Sequence, residues 1–424
     1  MPGQLLFIQS AVCAILIACR NNLAIQIYPE CNRMKPLQGL KILEFSTMVT
    51  ASFAAMMMAE QGAEVIKVEP LLAGDPMRYL GTSKGGISAL FGNCNRGKSS
   101  IRVDLKQAEG QATIRQLASQ VDVVIHNYRP GVMDKLNLGS AALRDLNPRL
   151  VYMAISGFGT QGPLSSAPAY DPIIQAHAGF SASQGLGSPT FIRNLMCDKI
   201  TAYTACQAVT AALYQRERTG EGQHIDLSML DAGLFFIFPD GFMNHTLLDD
   251  DVQQQPLLAD LLYNISNTLD GGITLSAGTP KQRAGVLKAI GQEALLSDPR
   301  FATMEDLTAN LAEYRAILAA AFAKFTTVEL LTRLADNDVP CARCHDYAEV
   351  LEQPQLQAND SIAVAQHPLM GAMRVVKSPA RFGGARSQPG NAAPAHGENT
   401  QACLEGFGFS PEQQSALRAQ GVIE

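Results

Sequence analysis

The chain has 424 residues, long enough for two domains that each bury a core. It is 47% hydrophobic and 17% charged, the composition of a folded globular protein and not of a disordered one. A net charge of -6 gives the molecule the wrong overall sign for binding nucleic acid or an anionic membrane, so any grip on a polyanion must come from a local basic pocket.

Residues 1–33 carry an apolar run, Leu5 to Cys19, that is shorter than a spanning helix and has no basic region before it. Leu16 to Cys19 resembles a lipoprotein cleavage box. The segment is read as an extension outside the fold, with an export signal as the alternative. Nine scattered cysteines, an odd number, point to reduced thiols and a cytoplasmic protein.

From Leu40 the pattern is α/β. Leu40 to Phe45 reads as a buried strand, and residues 51–61 as a helix of small side chains that Gly62 stops. Ala63 to Val68, Ser100 to Leu105, Val121 to Ile125 and Leu150 to Ile155 are further strands, with a helix over 107–119. Short apolar runs alternating with helices imply a mostly parallel sheet covered on both faces. A long helix from Asp198 to Arg218 and a strand from His224 to Ser228 follow. Past Asn244 a polar linker (Asp249 to Asp251, Gln253 to Gln255) leads to a smaller α+β region. Its strand is Gly272 to Ser276, and its helices fall near 280–290, 309–325 and 328–336. Arg381 to Gly397 reads as a linker or wrapping segment, and Pro411 to Gln420 as the last helix.

Several motifs compete with plainer readings. Cys341-Ala-Arg-Cys344-His345 spells a haem attachment pattern but has no second metal pair nearby, so it reads as a chance run at a strand end and no metal site is expected. Gly157-Phe-Gly-Thr-Gln-Gly162 matches a dinucleotide fingerprint. Pro163 and Pro168 follow where a helix should open, which makes it a flexible loop beside a site. The loops Asn95 to Lys98 and Asn127 to Gly131 carry cations suited to phosphate, or are solvated turns. Asp198 heads the long helix after Leu195-Met-Cys197. There the helix dipole favours a carboxylate able to attack a thioester, while the plain reading is an N-cap. Asp171, after Ala169-Tyr170, is a second candidate whose plain reading is a loop cap.

In order along the chain, Leu37 to Ser46, Gly62 to Pro70 with Gly74-Asp75 and Arg78, Asn95 to Lys98, Asn127 to Gly131, Asn147 to Tyr152, Gly157 to Pro163, Thr219 to Gln223 and His396 to Glu398 resemble the CaiB/BaiF (family III) CoA transferases. The resemblance runs from about Met34 to Glu424. It implies a Rossmann-like large domain built from 34–243 and the returning segment 376–424, a smaller domain over 244–375, and an interlocked homodimer. It also implies a cytoplasmic transferase that moves CoA from an acyl-CoA to a small carboxylic acid, with CoA as substrate and no tightly bound cofactor.

By the same resemblance Asp198 is the nucleophile, forming an acyl-aspartyl anhydride, with CoA returning through an aspartyl thioester. Asp171 is placed at the acyl end. CoA contacts are placed on Val49 and Thr50, on Val103, Asp104, Leu105 and Lys106, and on Asn127, Tyr128, Arg129 and Lys135. Phe235 to Asp240 is expected near the acyl pocket, or in the core. The α-methylacyl-CoA racemases share the fold but place a His directly before the residue matching Asp171; Tyr170 stands there, and a phenol is a poor base near neutral pH. A silent CoA-binding protein is the third reading.

Overall fold

The computed structural model describes residues 35–185 and 187–424. The expectations for residues 1–33 lie outside this range. Six strands form the central sheet: β1 (Lys41–Phe45), β2 (Glu64–Glu69), β3 (Lys98–Arg102), β4 (Val123–His126), β5 (Val151–Ser156) and β6 (His224–Ser228). The helices that matter below are α1 (Thr50–Glu60), α2 (Ala108–Ala118), α3 (Asp171–Ala178), α4 (Met196–Thr219) and α5 (Met229–Gly241).

Every neighbouring pair in the sheet is parallel, so each connection crosses a face of it. The spatial order is β3-β2-β1-β4-β5-β6. Alternating side chains supply two cores. Ile42, Val65, Val123 and Ile125 face one, which they share with alanines of α1 (Ala51, Ala54, Ala55) and α4 (Ala202, Ala205). Small side chains there let the two helices approach closely. Leu43, Phe45, Ile66, Val68 and Val124 face the other, against Ile114 and Leu117 of α2 and the late residues Leu404, Phe407, Phe409 and Ile423. The chain therefore ends on the core with which it began.

A third core lies between these ends of the chain. Ile273, Val286, Phe301, Phe322, Leu330 and Leu334 bury one another around a three-stranded sheet, Ser266–Asn267, Gly272–Leu275 and Cys341–Arg343. The Cys341 run thus occupies an edge strand. The segment leading back to the large sheet wraps as it goes: Gly97 N–H donates to Asn391 O at 2.7 Å, and Arg78 donates to Pro394 O at 3.0 Å. Among the described residues, no helix is long and apolar enough to cross a membrane.

The strand order fixes where a ligand belongs. From β1 the chain first builds outward through β2 to β3, then returns to β4 on the other flank of β1. Loops leaving the carboxyl ends of β1 and β4 therefore diverge, and a crevice opens between them.

Candidate active site

That crevice holds a cavity of about 540 Å³. Thr47, Met48 and Thr50 line it from the loop after β1, and Asn127, Tyr128 and Arg129 from the loop after β4. Gly157 adds a wall after β5; a Cβ at Gly157 would stand 2.2 Å from that of Ala169, which explains the glycine. Two hydrogen bonds tie the loops together: Asn127 Nδ2 donates to Thr47 O at 2.7 Å, and Thr47 N–H donates to Asn127 Oδ1 at 3.0 Å. Met48 N–H donates to Asp75 Oδ1 at 3.0 Å. Met48 itself sits at φ +61°, a left-handed conformation costing about 1–3 kcal/mol for a non-glycine residue, which persists because these neighbours fix the loop.

Beneath the loop lies a buried ion network. Lys67 Nζ reaches Glu44 at 2.8 Å, Asp75 at 3.0 Å and the Ser46 carbonyl at 3.0 Å. Lys98 Nζ reaches Glu44 at 2.7 Å, Asn95 at 2.7 Å and the Ser52 carbonyl at 2.8 Å. Burial opposes ionisation of Glu44, but the two lysines outweigh it and hold the carboxyl below its ordinary range. Burial pulls Lys98 down to about 8 even with Glu44 beside it. Arg96 is likewise committed, to Glu60 and to the Val376 carbonyl. Neither reading of Asn95 to Lys98, phosphate loop or solvated turn, holds: its cations are buried and spent on internal carboxylates, not offered to a ligand or to water.

The reactive group sits opposite this loop. The helix α4 begins at Met196 with Leu195 as N-cap, so Asp198 is its third residue and not its cap. Thr50 Oγ1 donates to Asp198 Oδ1 across the cavity. The Asp198 N–H donates to Asp171 Oδ2 at 2.9 Å, and Gln175 Nε2 donates to Asp171 Oδ1 at 2.6 Å. Both oxygens of Asp171 are thus occupied in holding the head of α4. Gln175 also clamps the approach to that helix, donating to the carbonyls of Ile192 and Asn194 and accepting the Ile192 N–H. No lysine or arginine pairs with either carboxylate among the described residues.

Burial and the helix end act on Asp198 in opposite directions. The helix end favours its charge, yet burial wins and pushes its carboxyl up to about 6; the Thr50 hydroxyl works against that rise, the Asp171 charge adds to it, and the Lys199 charge opposes it weakly. At neutral pH the group is ionised and poorly solvated, which is the condition of a nucleophile.

Six of the twelve residues assigned to the site from sequence line this one cavity: Thr50, Asn127, Tyr128, Arg129, Asp171 and Asp198. Val49 is buried in the core beneath it. Val103 is buried and bridges to Ile423, Asp104 N–H donates to Val422 O, Leu105 packs on the core, and Lys106 and Lys135 are exposed; all five stand outside the cavity wall. The Phe235 to Asp240 run lies outside the cavity, on α5: Ile237 joins the first core, while the phenylalanines face outward, Phe235 being 84% exposed. Tyr170 lines the cavity, whereas His177 is turned onto Phe158 with ring centroids 5.1 Å apart. Sequence reading missed Gln175, although its spacing of four from Asp171 on one helix marks the pair. It also quoted Asp75 without seeing that it anchors Met48.

An α/β sheet with a ligand crevice at the reversal of its strand order, and an unpaired carboxylate facing that crevice, defines a small-molecule enzyme site. The sequence profile of CoA-transferase family III matches residues 37–400, and the chain belongs to that family. The succinate–glutarate CoA-transferase of Agrobacterium fabrum is 34% identical, over 77% of this chain and 84% of its own. The succinyl-CoA–D-citramalate CoA-transferase of Chloroflexus aurantiacus is 30% identical, over 92% of this chain and 98% of its own. The crystal structure of a CAIB/BAIF family protein from Brucella suis superposes with a TM-score of 0.78 at 29% identity, covering 88% of this chain and 100% of that one. The protein is a CoA-transferase.

Proposed function

We propose that this enzyme moves CoA from an acyl-CoA to a free carboxylic acid through covalent intermediates on Asp198. One observation carries the mechanism: Asp198 faces the crevice buried and, among the described residues, without an ion pair, its carboxylate aligned by Thr50. A carboxylate oxygen of Asp198 attacks the thioester carbonyl, the C–S bond breaks, and CoA thiolate leaves a mixed anhydride. The thiolate attacks the Asp198 carbonyl of that anhydride, releasing the donor acid and forming an aspartyl thioester. The acceptor carboxylate then attacks this thioester and expels CoA. The thiolate finally attacks the acceptor's acyl carbon, which frees Asp198. Each intermediate hydrolyses readily, so the enclosed position of Asp198 matters to yield as well as rate.

Asp171 serves as the partner that fixes the attacking group. Asn127, Tyr128 and Arg129 take the pantetheine and pyrophosphate portion of CoA. Lys106 and Lys135, exposed outside the cavity, are left for the nucleotide phosphates, with Val103 to Leu105 as backbone support. CoA is then a substrate and no other cofactor is needed. The large domain (34–243 with 376–424), the smaller one (244–375) and a cytoplasmic interlocked homodimer complete the reading. The exposed aromatic side of α5 supports a second copy. Tyr170, in place of a histidine, speaks against racemase chemistry.

Intact-protein mass spectrometry of wild type and Asp198→Ala, incubated with a panel of acyl-CoAs and hydroxylamine, tests this. A hydroxamate on wild type alone establishes the aspartyl intermediate. No adduct, with α-proton exchange into deuterated water instead, moves the enzyme to the racemases.

A further inference from the structure

A second cavity, of about 340 Å³, opens beside the first. The two share Asp171, Pro172 and Leu195 in their walls, so Asp171 stands at their junction, its Oδ2 accepting the N–H of Asp198, which lines the first. The far wall of the second cavity is the segment Phe191–Leu195, whose backbone Gln175 holds through three hydrogen bonds. Among the described lining residues, each cavity has one lysine or arginine: Arg129 in the first and Arg193 in the second. Arg193 is exposed and has no hydrogen bond or ion pair among the described residues, although its backbone is fixed.

Charge balance gives this arrangement a meaning. A monocarboxylic acceptor spends its single charge in attack at Asp198. A dicarboxylic acid brings a second carboxylate into a site that already holds two, and that charge needs a cation. Arg129 lies on the side assigned to CoA. Arg193 lies on the other, and a guanidinium grips a carboxylate through two parallel hydrogen bonds. We propose that Arg193 binds the distal carboxylate of a dicarboxylic substrate while its near carboxyl reacts at Asp198, which makes the enzyme selective for dicarboxylic acids. The proposal rests on Asp198 being the nucleophile.

The test pairs donors and acceptors that differ only in the distal group: succinyl-CoA and butyryl-CoA, each with glutarate and valerate. Wild type should favour the dicarboxylic member of each pair. Arg193→Ala should raise KM for glutarate and for succinyl-CoA about 10- to 100-fold, the scale of a lost charge-assisted hydrogen bond, and leave the butyryl-CoA–valerate reaction in place as an internal measure of folding. Arg193→Lys should recover part of the loss, since it restores the charge without the fork. Equal losses with all four substrates, no loss with glutarate, no dicarboxylate preference in wild type, or no transfer in any combination each overturns the proposal. Asp198→Ala, run in parallel, separates the two ideas. Continued transfer by that variant sinks the nucleophile assignment whatever Arg193 does, whereas an inactive Asp198→Ala beside an indifferent Arg193→Ala sinks only the dicarboxylate assignment.

Discussion

The molecule buries acids in two neighbouring places and treats them in opposite ways. Under the β1–α1 loop, Glu44 and Asp75 are enclosed with Lys67 and Lys98, and every charge has a counterpart within 3.0 Å. Across the cavity, Asp171 and Asp198 are enclosed without an ion pair among the described residues and are held by hydrogen bonds from Thr50, Gln175 and a backbone amide. The first cluster holds the Glu44 carboxyl below its ordinary range and inert; the second lifts Asp198 to about 6 and leaves it reactive. Burial is common to both, so partnership alone decides whether a buried acid is scaffold or reagent.

The largest test removes the reagent. Asp198→Asn keeps the shape and should lower CoA transfer by at least about 10³-fold, measured by chromatography of the acyl-CoA products. The same change should stabilise the fold. A raised carboxyl pKa means the folded state holds its proton more tightly than the unfolded one, so stability is lost as pH rises from the ordinary value of 3.8 through about 6. The amide should therefore gain roughly 3 kcal/mol at pH 7, a gain that fades below about pH 4. Urea midpoints at both pH values check this. Equal midpoints at neutral pH would mean that Asp198 is better solvated than its burial implies.

Lys67→Met breaks the scaffold instead. It leaves Glu44 and Asp75 enclosed beside Lys98 alone, at a cost of about 3–5 kcal/mol. Because Lys67 also holds the Ser46 carbonyl at the root of the loop, activity should fall along with the denaturation midpoint. Unchanged stability would place the two clusters in one class and dissolve the comparison.

What the sequence revealed follows the same division. The sheet was legible because apolar runs such as Leu40 to Phe45 and Val121 to Ile125 have no other stable use, and Gly62 punctuates the first helix between them. The start of α4 was placed at Asp198 because an aspartate is a familiar cap, whereas Leu195 caps it without a side-chain bond. Arg96 and Lys98 were misjudged since a string of letters shows charge but not its partner; Glu44 and Lys67, charges flanked by apolar residues inside buried strands, were the available hint. The aromatic run of α5 was misplaced because an apolar face reads alike whether it meets a core, a ligand or a partner chain. Thr50 reaches Asp198 across 148 positions, and that contact exists only in the fold.

A finer test moves the reagent's pKa in both directions. The acid limb of kcat/KM should rise near pH 6 as Asp198 ionises. Asp171→Asn removes a negative neighbour and should shift that limb to lower pH. Thr50→Val removes the hydrogen bond that favours the ionised form and should shift it higher. Opposite shifts would assign the limb to Asp198. A common shift would assign it to another group.

The smallest effect belongs to a third kind of charge, one that is neither buried nor paired. Lys106 is exposed outside the cavity, and an exposed ammonium attracts a phosphate through water, which weakens each such contact to about 1 kcal/mol or less. If it meets the nucleotide end of CoA, Lys106→Glu should raise KM for acyl-CoA a few-fold and leave kcat unchanged, since that contact is the same before and during reaction. Salt should erode the difference, because a solvent-exposed attraction decays over about 10 Å at 0.1 M ionic strength. Lys135→Glu should behave alike. An effect on kcat, or one indifferent to salt, would mean that one of these lysines folds into the cavity when CoA arrives and joins Arg129 in the wall. Only then would an outer charge acquire the strength that burial gives the inner ones.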